Sequence, residues 1–236
     1  MDIQRVSSNM EPVKKIKNSK FKLIMFDFDG TLVDTAPDII SATNLLLTKN
    51  GHKALPADVI RRDIGTGLKT LLKDFFPEAN EDPAIEEGLY TDFLDIYRHE
   101  FLKNPVIFEG LENFLQKEVP ARDLKIAIVS NKKEDLIPPI LEKVGLQKYP
   151  WVKIIGGNTF EHMKPHPMPI LEAISAAGVQ PEEAVLVGDG TPDVEGAHAA
   201  KCTSVAVSFG YTPIETLMSL GAHFRIDHFD ELTQCL

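Results

Sequence analysis

Residues 26–34 read FDFDGTLVD and follow the apolar run Leu23, Ile24, Met25. Two acids one residue apart, Asp27 and Asp29, therefore stand where a buried strand should end. Residues i and i+2 of an extended strand point the same way, so both carboxylates can converge on one space beyond the strand's carboxyl end. Open α/β sheets bind ligands at that end. Two adjacent carboxylates repel, and one tends to hold a proton unless a cation joins them. A hard divalent ion such as Mg²⁺ suits a few carboxylates together with phosphate oxygens. Taken alone, the pair also reads as a turn whose acids cap the next helix.

Outward from this stretch, apolar runs recur: KLIMFDF at Lys22, KIAIVS at Lys125, VKII at Val152, AVLVGD at Ala184 and SVAVS at Ser204. Most are continuous rather than alternating, as in parallel strands covered on both faces. Helix-length segments, Lys132 to Val144, Pro167 to Ala177 and Asp193 to Lys201, separate the later runs. The pattern predicts an α/β fold with a Rossmann-like parallel sheet. Residues 35–104 differ, having helical periodicity and no strand-like run. PDIISATNLLLTKNG carries apolar residues on one helical face and a stopping Gly51, and EEGLYTDFLDIYRHEFL places Leu89, Phe93, Ile96 and Phe101 at helical spacings. Gly65 and Gly67 predict a tight bend before another helix, and KNPVIFEGL returns the chain to the sheet. The expected division is a mobile tail over residues 1–20, a core over 21–34 and 105–236, and an inserted helical cap over 35–104.

Composition narrows the function classes. The chain has 236 residues, 43% hydrophobic and 25% charged, enough for a sizeable core. No apolar stretch approaches the roughly 20 residues that cross a bilayer. The first twenty residues carry lysines but no apolar segment of the kind that directs export. Cys202 and Cys235 make no disulfide framework, which fits a reducing cytoplasm. A formal charge of −10 argues against a nucleic-acid surface. It also means that any phosphate site must be made locally positive by a metal, a lysine or helix N-termini.

Three later features meet that condition. Ser130 and Asn131 close the run IAIV and open a helix-length segment, where a hydroxyl and backbone N–H groups can hold an anion or simply cap the helix. Lys164 in MKPHPMP lies in a loop that prolines stiffen, so its ammonium can be fixed against a phosphate. In GDGTPD, Asp189 ends a strand run between glycines as a ligand would, and Asp193 starts a helix whose dipole it complements.

The order and contexts of these four motifs resemble the haloacid dehalogenase superfamily of aspartate-nucleophile hydrolases, from about Phe21 to the end. The helical insertion is similar in position to the cap of the phosphoglycolate phosphatase-like subgroup, as are RRDIGTGLKTLL, VSNK, KPHPMPIL, SFGY and AHFRIDHFDEL. The resemblance implies that Asp27 attacks phosphorus to form an aspartyl-phosphate and that Asp29 acts as acid and base. It implies that Mg²⁺ is held by Asp27, the Asp29 backbone carbonyl and Asp189, with Asp193 supporting. It places Thr31, Ser130, Asn131 and Lys164 at the phosphoryl oxygens. An acid at Asp29 favours phosphate esters over the family's dehalogenase and phosphonate chemistry. Thr31 and the sequence around Asp189 set a phosphatase ahead of a phosphosugar mutase of the β-phosphoglucomutase-like type, and the intact acids and lysine set both ahead of a catalytically idle binding protein.

Gly190, Asn158, Phe108 and Glu109 depart from the commonest family pattern. His162, His166 and His198 lack partners at metal-ligand spacing. Trp151 reads as packing at a strand start, and Phe75, Phe76, Tyr90 and Phe93 as cap core. Arg61 and Arg62 read as a solvated helix face or as a clamp on a substrate carboxylate. The expected protein is a cytoplasmic Mg²⁺-dependent phosphatase, monomer or homodimer. Its partner is a small phosphorylated metabolite, 2-phosphoglycolate first, and neither nucleic acid nor membrane.

Overall fold

The computed structural model describes residues 21–65 and 67–236; the expected N-terminal tail lies outside the described residues. Six parallel strands form one sheet in the order β5-β4-β1-β6-β7-β8. They are β1 Leu23–Phe26, β4 Lys125–Val129, β5 Trp151–Ile155, β6 Ala184–Gly188, β7 Thr203–Val207 and β8 Phe224–Ile226. The first strand is central, pairing Leu23 with Lys125 on one side and with Ala184 on the other. Such a sheet is buried on both faces, which is why its inner strands are apolar without alternation. Period two still sorts them: Ile24, Phe26 and Phe28 join one apolar cluster, whereas Leu23 and Met25 join another across the sheet. Phe26 meets Phe114, Trp151 and Phe229, each at a ring separation of 6.3 Å.

The helices expected between the later strands are present. Two span Met168–Ala177 and Thr191–Ala199. The third is shorter than expected, a 3₁₀ turn at Glu134–Leu136 followed by the helix Ile137–Val144, so Lys132 stays in the loop after β4. Three short strands escape the sequence pattern. β8 is three residues long, while β2 (Val33–Asp34) and β3 (Val106–Ile107) pair antiparallel through two residues each. Elements this short carry no readable period.

Between β2 and β3 lie the helices α1 Ala36–Lys49, α2 Ala57–Arg61, α3 Leu68–Phe75 and α4 Pro83–Glu100. Their apolar faces form a cluster of their own, with Leu46, Leu72 and Phe76 fully buried. Leu89, Phe93 and Tyr97 are the buried stripe of α4, because two steps of four residues keep one face; Ile96 is only half-buried. Gly65 and Gly67 have φ of +98° and +100°, conformations that a side chain would strain, and they turn the chain into α3.

In the sheet core, Phe26 alone carries three aromatic contacts, one of them to Trp151, the only tryptophan. Phe26→Ala should therefore cost about 3–5 kcal/mol. Urea unfolding followed by Trp151 emission checks this as a lower midpoint with unchanged slope.

Candidate active site

β1 ends at Phe26, and the chain carries Asp27 to the carboxyl end of the sheet, its N–H donating to the Val187 carbonyl of β6 at 2.9 Å. Asp189 follows β6 directly, and Asp193 sits in the first turn of the helix Thr191–Ala199. Asp27, Asp189 and Asp193 are all buried, and each offers a carboxylate oxygen within 4.8 Å of the others. Glycine permits this approach: a Cβ on Gly30 would lie 2.3 Å from an Asp189 oxygen, and one on Gly210 2.1 Å from Asp189 Cβ. Tyr211 N–H donates to Asp189 Oδ2 at 2.8 Å, and Gly190 N–H donates to Asp193 Oδ2 at 2.9 Å. The glycine at position 190 thus contributes its backbone to the acid three residues on.

Lys164 is buried among these acids. Its Nζ donates to Asp193 Oδ1 at 2.6 Å and to the Val129 carbonyl at 2.5 Å, and lies 3.0 Å from Asp27 Oδ1. Burial acts to lower its pKa, but the charges of Asp193 and Asp27 outweigh that and hold it raised, so the ammonium stays charged. The approach to Asp27 is off the hydrogen-bond direction, and this buried Oδ1 accepts no hydrogen bond. A second buried lysine, Lys132, faces Asp29 at 3.0 Å. Four buried carboxylates thus meet two buried ammonium groups, leaving the negative charge that a divalent cation cancels. That surplus and the unsatisfied Asp27 oxygen fit a hard cation among Asp27, Asp189 and Asp193. It is the only cluster of three potential ligands among the described residues, and no histidine belongs to it.

Of the residues expected at the phosphoryl oxygens, Ser130 and Asn131 line the same cavity as Asp27 and Asp29. Thr31 and Asn131 also make bonds within the protein. Thr31 Oγ1 donates to Asp189 Oδ1 at 3.0 Å, so its hydroxyl orients a carboxylate. Asn131 Nδ2 donates to the Lys164 carbonyl at 2.9 Å and so pins the lysine loop. Asn158 Oδ1 accepts from the Glu134 N–H at 2.8 Å, holding the loops after β4 and β5 together.

Four residues near the acids were not singled out from the sequence. Asp29 Oδ1 accepts from Thr35 Oγ1 at 2.5 Å and from Lys132 Nζ at 3.0 Å, and Lys132 also donates to the Tyr97 hydroxyl at 2.8 Å. Tyr211 joins the site to the start of α1: its hydroxyl accepts from the N–H groups of Thr35 and Ala36 and donates to Asp34 Oδ1. Lys132 and Tyr211 stand in VSNK and SFGY, but their targets lie across the fold and cannot be read from spacing.

The cavity above these residues holds about 230 Å³. Asp27, Asp29, Ser130 and Lys132 line its floor, and Ile64, Leu68, Phe93 and Tyr97 from the helical layer line its roof. Tyr90 and Phe93 are therefore walls of the cavity as well as part of the helical packing, while Phe76 is core alone. Neither Arg61 nor Arg62 lines it, and Arg61 turns to Asp34 at 3.8 Å with its guanidinium 5.4 Å over the Tyr211 ring.

Burial and the neighbouring acids raise Asp189 well above the ordinary carboxylate range. Burial, with Asp27 adding to it and Lys164 opposing, lifts Asp193 to about 6. The metal-free fold therefore keeps protons that the unfolded chain releases near pH 4. By linkage, its stability should fall as pH rises from about 4 through 6. Thermal melts of metal-free wild type and Asp193→Asn check this: the decline across that window should be shallower in the variant.

Comparison with known proteins agrees with this geometry. Residues 24–207 match the family model of haloacid dehalogenase-like hydrolases. A phosphoglycolate phosphatase of Chromobacterium violaceum is 32% identical over 214 residues, covering 89% of this chain and 94% of the relative. One from Xanthomonas campestris is 36% identical over 190 residues, covering 80% and 84%. The crystal structure of a predicted phosphoglycolate phosphatase from Haemophilus somnus superposes with a TM-score of 0.82 at 26% identity, covering 92% of this chain and 98% of that one. From the strand-end acids to the whole-chain likeness, the chain belongs to the haloacid dehalogenase-like hydrolases, as a phosphoglycolate phosphatase-like member.

Proposed function

We propose that this phosphoric monoester hydrolase cleaves small phosphomonoesters with Mg²⁺, 2-phosphoglycolate first among them, through an aspartyl-phosphate on Asp27. The observation that carries the reading is the placement of Asp27 and Asp29 together on the cavity floor, with Lys164 3.0 Å from Asp27. Asp27 attacks phosphorus, splitting one hydrolysis into two steps. Asp29 gives a proton to the departing ester oxygen and later takes one from the attacking water. Lys164 and Ser130 offset the charge of the phosphoryl oxygens, and Asn131 keeps the Lys164 loop in place. Asp27, Asp189, Asp193 and the Asp29 carbonyl would hold the Mg²⁺, which when bound supplies positive charge for the phosphoryl group. The helical layer over the cavity excludes bulk water.

The substrate assignment is supported by the named activity of the relatives and by two further lysines, Lys69 and Lys133, among the residues that line the cavity. The reading carries with it a small phosphorylated metabolite as partner, in the cytoplasm, for a monomer or homodimer. No described helix is long and apolar enough to cross a membrane.

Release of inorganic phosphate from 2-phosphoglycolate and related esters, measured with Mg²⁺, tests the proposal. Asp27→Asn should lower kcat by at least about 1,000-fold. EDTA should abolish turnover and Mg²⁺ restore it. Release at the level of the variant, or isomerisation of a hexose 1-phosphate without net release, would contradict the phosphatase assignment.

A further inference from the structure

Lys132 has a place in the site that none of the motif residues explains. Its side chain is 4% exposed, and its Nζ lies 3.0 and 3.3 Å from the two oxygens of Asp29. A third donor goes to the Tyr97 hydroxyl at 2.8 Å. The three groups come from different parts of the chain: Asp29 from the loop after β1, Lys132 from the loop after β4, and Tyr97 from α4 in the helical layer. Tyr97 is itself fixed, its ring 5.5 Å from Phe93 and 5.7 Å from Phe101. Burial acts to lower the Lys132 pKa, but Asp29 and Tyr97 outweigh this and hold it raised. The ammonium is therefore a charged bridge between the carboxylate and the layer that roofs the cavity.

We propose that Lys132 is the positioning residue for Asp29, and that Tyr97 ties this position to the seating of α4 over the sheet. The inference rests on the phosphatase reading above. In the first step the Asp27 oxygen forms a bond to phosphorus while the bond from phosphorus to the ester oxygen breaks. The ester oxygen keeps the electron pair and takes the proton from Asp29. Asp29 can deliver that proton only if its carboxyl group is held beside the leaving oxygen, and Lys132 holds it there when the helical layer is seated.

The arrangement has a signature that general loss of structure lacks. An alkoxide leaving group needs the proton, whereas 2,4-dinitrophenolate is stable without it. Single-turnover phosphoryl transfer should therefore be measured with 2-phosphoglycolate and with 2,4-dinitrophenyl phosphate for wild type, Lys132→Met and Tyr97→Phe. Lys132→Met should slow transfer from the alkyl ester about 100-fold, the scale of a lost general acid. It should slow transfer from the dinitrophenyl ester less than about 3-fold, since that step does not use the acid. Tyr97→Phe removes one oxygen and preserves packing, and should give the same selectivity at about 5-fold, the scale of one hydrogen bond. It keeps the test valid if Lys132→Met does not fold.

Equal losses on both esters in Tyr97→Phe would overturn the proposal. So would a raised KM with unchanged kcat in Lys132→Met, which would make the ammonium a substrate ligand instead. Absence of transfer from either ester by the wild type would overturn the phosphatase reading, and this inference with it.

Discussion

Three carboxylates buried within 4.8 Å of one another are the constraint on which the rest of the site depends. Burial alone favours the protonated form of Asp189 and Asp193, since removing a charge from water costs more than an isolated carboxylate recovers inside a protein. The fold keeps them close by stripping side chains from the glycines that surround them. It tempers their repulsion with Lys164, whose charge is itself secured by Asp193 and Asp27. One lysine does not balance three acids, and the remaining negative charge suits the site to a divalent cation. In a chain of net charge −10, such a cation together with Lys164 would supply the local positive charge that a phosphate ligand needs.

The parallel sheet turns sequence order into convergence. Positions far apart in the chain, 27, 130, 164 and 189, meet because each follows a strand or loop at the same end of the sheet. The helical layer is inserted at that end, between β2 and β3, so that its apolar faces roof the acids. Tyr211 contacts both systems, with its N–H on Asp189 and its hydroxyl at the first residues of α1. The joint of the helical layer and the acid cluster are thereby held by one residue.

What was legible in the sequence follows from this economy. A buried parallel strand is a continuous apolar run, and an acid that interrupts such a run has a reason to be there. The sheet, the inserted helices and Asp27, Asp29, Lys164, Asp189 and Asp193 as a group could be read that way. The strands β2, β3 and β8 could not, because two or three residues show no period. The parts played by Thr31 and Asn131 were not legible for a different reason. A hydroxyl or amide beside a phosphate site is equally suited to touch phosphate or to orient the groups that do, and their bonds to Asp189 and to the Lys164 carbonyl join residues too far apart in the chain for spacing to show. The contact of Lys132 with Tyr97 spans 35 positions and two layers, and depends on how the helices seat over the sheet.

The central claim is that the acid pair is catalytic and that Asp27 is the nucleophile. It is tested most directly by quenching the Mg²⁺-loaded protein in acid during turnover of 2-phosphoglycolate, reducing it with borohydride and locating the modified residue by tandem mass spectrometry. The account predicts homoserine at position 27 and at no other acid, with none in Asp27→Asn. Modification of another carboxylate, or turnover with no trapped residue in a quench fast enough to sample the first step, would contradict it.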